Sequence, residues 1–370
     1  MKRLLSVLVM AALVLTLFAG CGAPAAAPEA TPAPQASSEP EKTAEPETTP
    51  EPEATPDAAP ENTPEPTPEA LPEEEKATFR IGGLKGPTTM GMVRFLKDAE
   101  DGNSDIDVDF TIAGAADELT PKLIKGELDI VAVPANLASV LYNKTEGAVE
   151  LLAVNTLGVI YIVETGDTVT SIESLRGQTI YGTGKGSTPE YALRYILAEN
   201  GLDPDKDVTL EWKSEPTEIV AALSAGGGVA MLPQPYVTVA SANVEGLHIA
   251  LDLTEEWDKL DNGSMLITGV LVVRREFAEK YPQQIAKFLE EYQASTEYIN
   301  NNIDEAADLV EYYGIVKAPV AKKAIPYCNI TYIAGEEMIA PIGGYLEVLF
   351  EQNPAAVGGT LPGEDFYYVG

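Results

Sequence analysis

Cysteine, histidine and positive charge are the scarce items in this chain. It has two cysteines, Cys21 and Cys328, and one histidine, His248. A zinc site built on thiolate or imidazole needs three or four ligands, so none is expected. A nucleophile–histidine engine would have to use His248. That residue sits in Gly246-Leu247-His248-Ile249-Ala250-Leu251, an apolar run that reads as a strand with no nucleophile motif beside it. Lys and Arg number 24 against 58 Asp and Glu, a net charge of −34. That leaves too few cations to neutralise a phosphate backbone, which excludes nucleic acid as a partner. No catalytic residue, metal or cofactor is expected.

What is present begins at the N-terminus. Lys2 and Arg3 precede residues 4–18, which are apolar except for Ser6 and Thr16, and Ala19-Gly20 lead to Cys21. The run is too short and wrongly flanked for a spanning helix, and residues 1–20 read as a secretory signal. A Cys directly after small residues resembles the lipobox of bacterial lipoproteins, although Phe18 stands where that motif usually carries Leu. It implies a lipid on Cys21 and a protein held outside the cytoplasm at the cell membrane. The alternative is an ordinary cleaved signal with an incidental cysteine. With Cys21 lipidated, Cys328 has no partner and no disulfide framework exists. Residues 21–76 repeat Pro, Glu, Thr and Ala with almost no large apolar residue. They cannot bury enough surface to offset the entropy of ordering, so they read as an extended, self-repelling tether.

The remainder, residues 77–370, is long enough for two ordinary domains. Short apolar strands alternate with helical stretches. Strands are expected at 79–84, 107–112, 128–133 and within 149–163, with helices between them. After Ser171 the pattern restarts: strands at 178–182, 208–212, 229–232 and 247–251 enclose helices beginning near Pro189 and Pro216. Residues 265–273 are again strand-like, and a long helix is expected over 275–298. Gly226-Gly227-Gly228 reads as a helix stop. This succession is α/β, with mostly parallel sheets covered by helices.

Three segments carry a family resemblance. They are Arg80-Ile81-Gly82-Gly83-Leu84-Lys85-Gly86-Pro87-Thr88-Thr89, then Gly126-Glu127-Leu128-Asp129-Ile130-Val131-Ala132-Val133-Pro134-Ala135-Asn136, then Ile172-Glu173-Ser174-Leu175-Arg176-Gly177-Gln178-Thr179-Ile180. Their order resembles the type II substrate-binding proteins of ABC importers, in the group handling nitrate, sulfonates, taurine and thiamine-pyrimidine precursors. The resemblance implies the two-lobe type II periplasmic-binding-protein fold. Residues 77–165 and 265–370 would form one lobe and 166–264 the other, with crossovers near 163–168 and 262–268. It further implies a small-molecule ligand in the cleft, an ABC permease and ATPase as partners, and a monomer. The same scaffold could serve a ligand-sensing lipoprotein or an enzyme of pyrimidine synthesis.

Ligands of open α/β sheets bind outside the carboxyl ends of strands, where helices present free N–H groups. That places Thr88 and Thr89 after the first strand and Asn136 after the third. Ser187 and Thr188 precede Pro189, Gln234 and Tyr236 follow the strand ending at Leu232, and Asn155 with Thr156 lie near the first crossover. Ser187 or Thr188 could instead only cap a helix, and Tyr236 could be a core aromatic. Thr183-Gly184-Lys185-Gly186-Ser187-Thr188 lacks the spacing of a nucleotide P-loop. Arg176 and Lys185 could counter an anion or be solvated surface charges. The ligand could be a carboxylate, sulfonate or nitrate, or a neutral heterocycle stacked on Tyr236 or Trp212.

Overall fold

The computed structural model describes residues 75–370; the signal, Cys21 and most of the tether lie outside the described residues. The chain begins with β1 (Thr78–Leu84), β2 (Asp107–Ala113), β3 (Ile130–Pro134) and β4 (Val149–Leu157). It then enters a second sheet with β5 (Ile160–Glu164), β6 (Thr179–Gly182), β7 (Thr209–Trp212), β8 (Val229–Pro233) and β9 (His248–Asp252). It returns to the first with β10 (Ile267–Arg274) and β11 (Ile330–Ala334). The sheet orders are β11-β4-β10-β3-β1-β2 and β7-β6-β8-β5-β9.

Both sheets are mixed. Strands joined by helical crossovers run parallel: β1 with β2 and β3, and β6 with β7 and β8. Strands that arrive from the other sheet run antiparallel: β10 lies between β3 and β4, and β5 lies between β8 and β9. The chain therefore first changes sheets at residues 158–159, earlier than the expected 163–168. Residues 149–163 are mostly apolar, and Gly158 is the one glycine among them, after Glu150, Asn155 and Thr156 as the polar positions. All five residues of β5 are buried, and it pairs on both edges within the second sheet. The second change falls between Asp252 and Ile267.

The two links touch. A Cβ on Gly158 would lie 2.1 Å from Thr254 Oγ1, so only glycine lets the first link pass against the helix Leu253–Asp258 of the second. Asn329 Nδ2 donates to the Gly158 carbonyl from a third direction. Behind the links, Trp257 is fully buried, its ring centroid 4.9 Å from Tyr195 and 5.7 Å from Tyr345. These aromatics join side chains of both sheets into one apolar cluster.

The Gly-x-Leu-Asp-Ile segment has a structural use. Asp129 is fully buried just before β3. Its carboxylate accepts from the Arg80 main-chain N–H at 3.1 Å, from Arg80 Nε at 2.7 Å and from Arg274 Nη2 at 3.0 Å. One charge thus ties β1, β3 and β10 through charge-assisted bonds. The helix expected over 275–298 is broken into Arg275–Lys280 and Pro282–Asn301. Pro282 lacks an N–H and pushes Tyr281 out of the helical region, to φ −130°. The C-terminal residues strap the helix Ala135–Lys144: Ser139 Oγ and Asn143 Nδ2 both donate to the Val357 carbonyl at 2.8 Å. Among the described residues no helix is long and apolar enough to cross a membrane.

Candidate binding cleft

A cavity of about 650 Å³ opens where strand ends of the two sheets face each other. From the first sheet it is lined by Lys85, Thr88, Leu137, Leu141, Thr156 and Thr268. From the second it is lined by Thr183, Lys185, Ser187, Trp212, Gln234 and Tyr236. Five of the nine residues expected from sequence line it: Thr88, Thr156, Ser187, Gln234 and Tyr236. Thr89, Asn136, Asn155 and Thr188 do not.

Thr88 sits where β1 turns into the helix Pro87–Met90 and is 7% exposed. Asn155 Nδ2 donates to its carbonyl at 3.1 Å, and Thr156 Oγ1 donates to Asn155 Oδ1 at 3.0 Å. Asn155 thus fixes the backbone under Thr88 and has no side-chain atom left for the cavity. The Thr88 methyl packs over Gly269, where a Cβ would fall 2.3 Å away. The Thr88 hydroxyl is buried without a hydrogen-bond partner. The Thr89 hydroxyl is also unpartnered, but that residue turns back onto β1, against the backbone of Gly83.

Asn136 and Thr188 meet behind the cavity. Asn136 Nδ2 donates to the carbonyls of Ala356 at 2.9 Å and Gly186 at 3.5 Å. Thr188 Oγ1 donates to Asn136 Oδ1 at 3.4 Å and accepts from Tyr345 Oη at 3.0 Å. These bonds join the two sheets' helices and the C-terminal helix Ile339–Gln352. Ser187 has the extended backbone of an N-cap but does not cap with its side chain; its hydroxyl donates to the Gly184 carbonyl at 2.7 Å. Glu190 takes the cap position's electrostatic role, accepting from the Gly186 N–H at 2.6 Å.

Gln234 Oε1 accepts from the Thr238 N–H at 3.3 Å and hydroxyl at 2.9 Å. Its Nε2 has no partner among the described residues. Tyr236 donates across the cleft to the Lys85 carbonyl at 3.3 Å. Burial, with the charge of Glu215, pushes its hydroxyl up to about 12, so it remains a donor at ordinary pH.

Sequence reasoning missed Thr268, Lys85 and Lys144. Thr268 is the extra residue of a β-bulge: Ile267 pairs with Leu157 and Gly269 already with Thr156. A bulge re-aims one side chain; Thr268 is on the lining, while its hydroxyl is buried without a partner. The signal was Thr268-Gly269 interrupting the apolar run of 266–273. Lys85, Lys144 and Lys185 all line the cavity and have no carboxylate partner among the described residues, and Lys213 is held 3.6 Å from Glu211. Asp117 is the one carboxylate on the lining, with Glu215 close by against Gly114. Arg176 is turned away and paired with Asp207 at 2.7 Å.

His248 and Cys328 are elsewhere. His248 Nε2 lies 3.9 Å from Glu164 Oε1 on the neighbouring strand. Cys328 is fully buried, and burial holds its thiol in the protonated form. A smaller cavity of about 360 Å³ lies beside Arg274 and Arg275. Arg275 is already spent there on Glu150 at 2.8 Å and Asp365 at 3.0 Å.

A model of the NMT1-like family matches residues 74–313. None of the curated proteins compared matches the chain. An ABC transporter structure from Parabacteroides distasonis superposes with a TM-score of 0.65 at 26% identity, covering 79% of this chain and 98% of its own. The periplasmic aliphatic sulphonate binding protein SsuA of Escherichia coli gives 0.63 at 17% identity, covering 79% and 92%. The alkanesulfonate-binding protein SsuA of Xanthomonas axonopodis pv. citri, bound to MOPS, gives 0.61 at 14% identity, covering 80% and 98%. The chain therefore belongs to the NMT1-like family and has the α/β, two-sheet type II fold of ABC-transporter substrate-binding proteins.

Proposed function

We propose that this chain is an extracytoplasmic solute-binding lipoprotein. It captures a small organic anion between its lobes, residues 77–157 with 267–370 and residues 160–252, and delivers it to an ABC permease and ATPase. The observation that carries this reading is the cleft's charge. In a chain with 58 acids and 24 bases, three lysines without carboxylate partners among the described residues lie on the lining of one cavity that carries a single aspartate. A local excess of positive charge along a cleft attracts an anion. Binding without chemistry fits the lining as well, because neither His248 nor Cys328 is on it and Ser187, which is, has its hydroxyl on the Gly184 carbonyl rather than on a base. Lipid on Cys21 would hold the monomer at the membrane through its tether.

Thermal unfolding of the mature chain carrying Cys21→Ser, against organic acids, sulfonates, nitrate, amino acids and neutral heterocycles, tests the reading. A ligand at about 100 times its dissociation constant should add about 2.7 kcal/mol of stability. Stabilisation by neutral heterocycles alone would remove the anion. A flat response to every class would remove the solute-binding role. Incorporation of labelled fatty acid, lost in Cys21→Ala, tests the anchor separately.

A further inference from the structure

Hydrogen bonding sorts the buried polar side chains on the cavity lining. On the first sheet, Thr156 is spent on Asn155, and the Thr88 hydroxyl at the cleft floor is sealed from solvent. On the second, Ser187 is spent on the Gly184 carbonyl and Tyr236 on that of Lys85. Two polar atoms remain that are neither sealed nor bonded among the described residues, Thr183 Oγ1 and Gln234 Nε2. Their residues are 7% and 3% exposed. Gln234 cannot turn its amide nitrogen away from the cavity. Its Oε1 accepts from the Thr238 main-chain N–H at 3.3 Å and hydroxyl at 2.9 Å, and an N–H donates only to the oxygen of an amide. Buried polar groups are hydrogen-bonded as a rule, so two open ones on a cavity wall are kept for what enters it.

Both groups belong to one place in the sheet. Thr183 follows β6 and Gln234 follows β8, and these strands are parallel neighbours, with Ile180 paired to Val229 and Tyr181 to Ala230. Carried on, that register sets Thr183 level with Leu232, two residues short of Gln234. Strands lie about 4.8 Å apart and rise about 3.3 Å per residue, so the two Cα atoms are about 8 Å apart, a gap that a small head group between the side chains bridges. Trp212 ends β7 on the other flank of β6, where it pairs with Gly182. Its ring rests on Gly182, where a Cβ would fall 2.8 Å from Cζ3, and the half-buried side chain lines the cavity. Pro189, Pro216 and Pro233 line the same side, so the second sheet offers the cavity rigid apolar surfaces around its two open polar atoms.

Resting on the solute-binding reading above, we propose that the second lobe holds the recognition subsite for an aromatic carboxylic acid. Its carboxylate accepts from Gln234 Nε2 and the Thr183 hydroxyl, and its ring lies along Trp212. An amide N–H and a hydroxyl both donate, so the head group has to present acceptors, and bonds to an ionised oxygen are about twice as strong as neutral ones. Two donors match the two oxygens of a carboxylate; a sulfonate would bring a third oxygen out of water with no donor for it. The positive excess on the lining, with Lys185 two residues after Thr183, favours an ionised head over a neutral carbonyl. A planar ring stacks on an indole beyond what its buried area alone gives, which a saturated ring cannot do.

Titration calorimetry on the mature chain with Cys21→Ser tests this with benzoate, cyclohexanecarboxylate, benzyl alcohol, benzenesulfonate, nitrate and a neutral pyrimidine. Benzoate should bind most tightly, roughly fivefold ahead of cyclohexanecarboxylate. Thr183→Val and Gln234→Leu should each weaken benzoate roughly tenfold, the worth of a hydrogen bond to a charged group, and Thr183→Ser should restore it. Gln234→Glu keeps an oxygen for Thr238 and sets a carboxylate where the amide nitrogen was, so it should abolish benzoate binding. Trp212→Leu should erase the lead of benzoate over cyclohexanecarboxylate. Benzoate binding untouched by Thr183→Val and Gln234→Leu would overturn the subsite. So would the absence of any lead over cyclohexanecarboxylate, or a preference for benzenesulfonate, nitrate or either neutral probe; solute capture would stand in each of these cases. Binding of nothing but an unidentified component of a small-molecule extract would overturn the aromatic acid and leave capture standing. No binding by any probe or extract would overturn both.

Discussion

Two clusters of neutral polar side chains near the cleft end in opposite states. At the Asn136 junction every side-chain polar atom is spent inside the protein, on Gly186, Ala356, Thr188 and Tyr345. At the floor, the hydroxyls of Thr88 and Thr268 have no partner at all. Asn136, Thr188 and Thr88 follow strand ends and look from sequence like ligand contacts, whereas Thr268 lies at the start of β10 and does not. The difference teaches that position at a strand end selects candidates, and the hydrogen-bond inventory sorts them. A saturated cluster fixes how elements sit; the hydroxyls of Thr88 and Thr268 are unsatisfied and sealed from solvent.

The comparison can be pressed hardest at its most saturated point. Asp129→Ala removes the fully buried carboxylate that the partly exposed Arg80 and Arg274 share. A loss of about 3 kcal/mol is expected in denaturant unfolding, because charge-assisted hydrogen bonds linking three strands disappear together while the arginines keep some access to water. A loss below 1 kcal/mol would show that the cluster is not what ties the three strands. Asn136→Ala comes next, with about 2 kcal/mol lost from the orphaned Thr188 and Ala356 groups. Ligand ranking by thermal shift should be unchanged in it. A changed ranking would mean that the junction reads the ligand after all.

Glu164 sharpens the same contrast through pH. Burial opposes its ionisation, but the N–H groups of Val169 and Thr168 and the Thr168 hydroxyl outweigh burial and hold it below the usual carboxylate range. A carboxyl depressed in the folded state adds stability that is fully present above its unfolded value, about 4.3. That stability disappears as pH falls through the lower folded value. Glu164→Gln should therefore cost about 1 kcal/mol at pH 7 and lose less than the parent on going to pH 3. Parallel losses in both proteins would rule this out as a source of acid sensitivity. The smallest effect is expected at the floor. Thr88→Val, in ligand-free protein, removes a hydroxyl that bonds to nothing. Its unfolding midpoint should stay within about 0.5 kcal/mol of the parent or rise. A clear drop would mean that the hydroxyl has a hidden partner, such as an ordered water.

Much of the scaffold was legible because its signals are local. Alternating apolar runs and turns gave the βα order, and Pro189, Pro216 and Gly226-Gly227-Gly228 marked helix ends near where they fall. The sheet assignment of β5 was not legible. Residues 149–163 look alike on both sides of Gly158, and only pairing with β8 and β9 separates them. The site was half legible for a related reason. Strand-end logic found Thr88, Thr156, Ser187, Gln234 and Tyr236, but it has no term for a bulge, so Thr268 escaped. Lys85 and Lys144 carry no local signal of their own, and only the fold puts them on the same lining as Lys185.

The sequence by itself determined the α/β class, the family resemblance, the acidic balance and the residue types at each strand end, since these depend on composition and on neighbours a few positions apart. Tertiary structure decided which of those residues are spent and which are free. Asn136 finds its partners 50, 52 and 220 positions away, and Tyr345 reaches Thr188 across 157. A hydrogen bond is satisfied by proximity in space within about 3 Å, and no local pattern in a chain encodes which distant group will arrive.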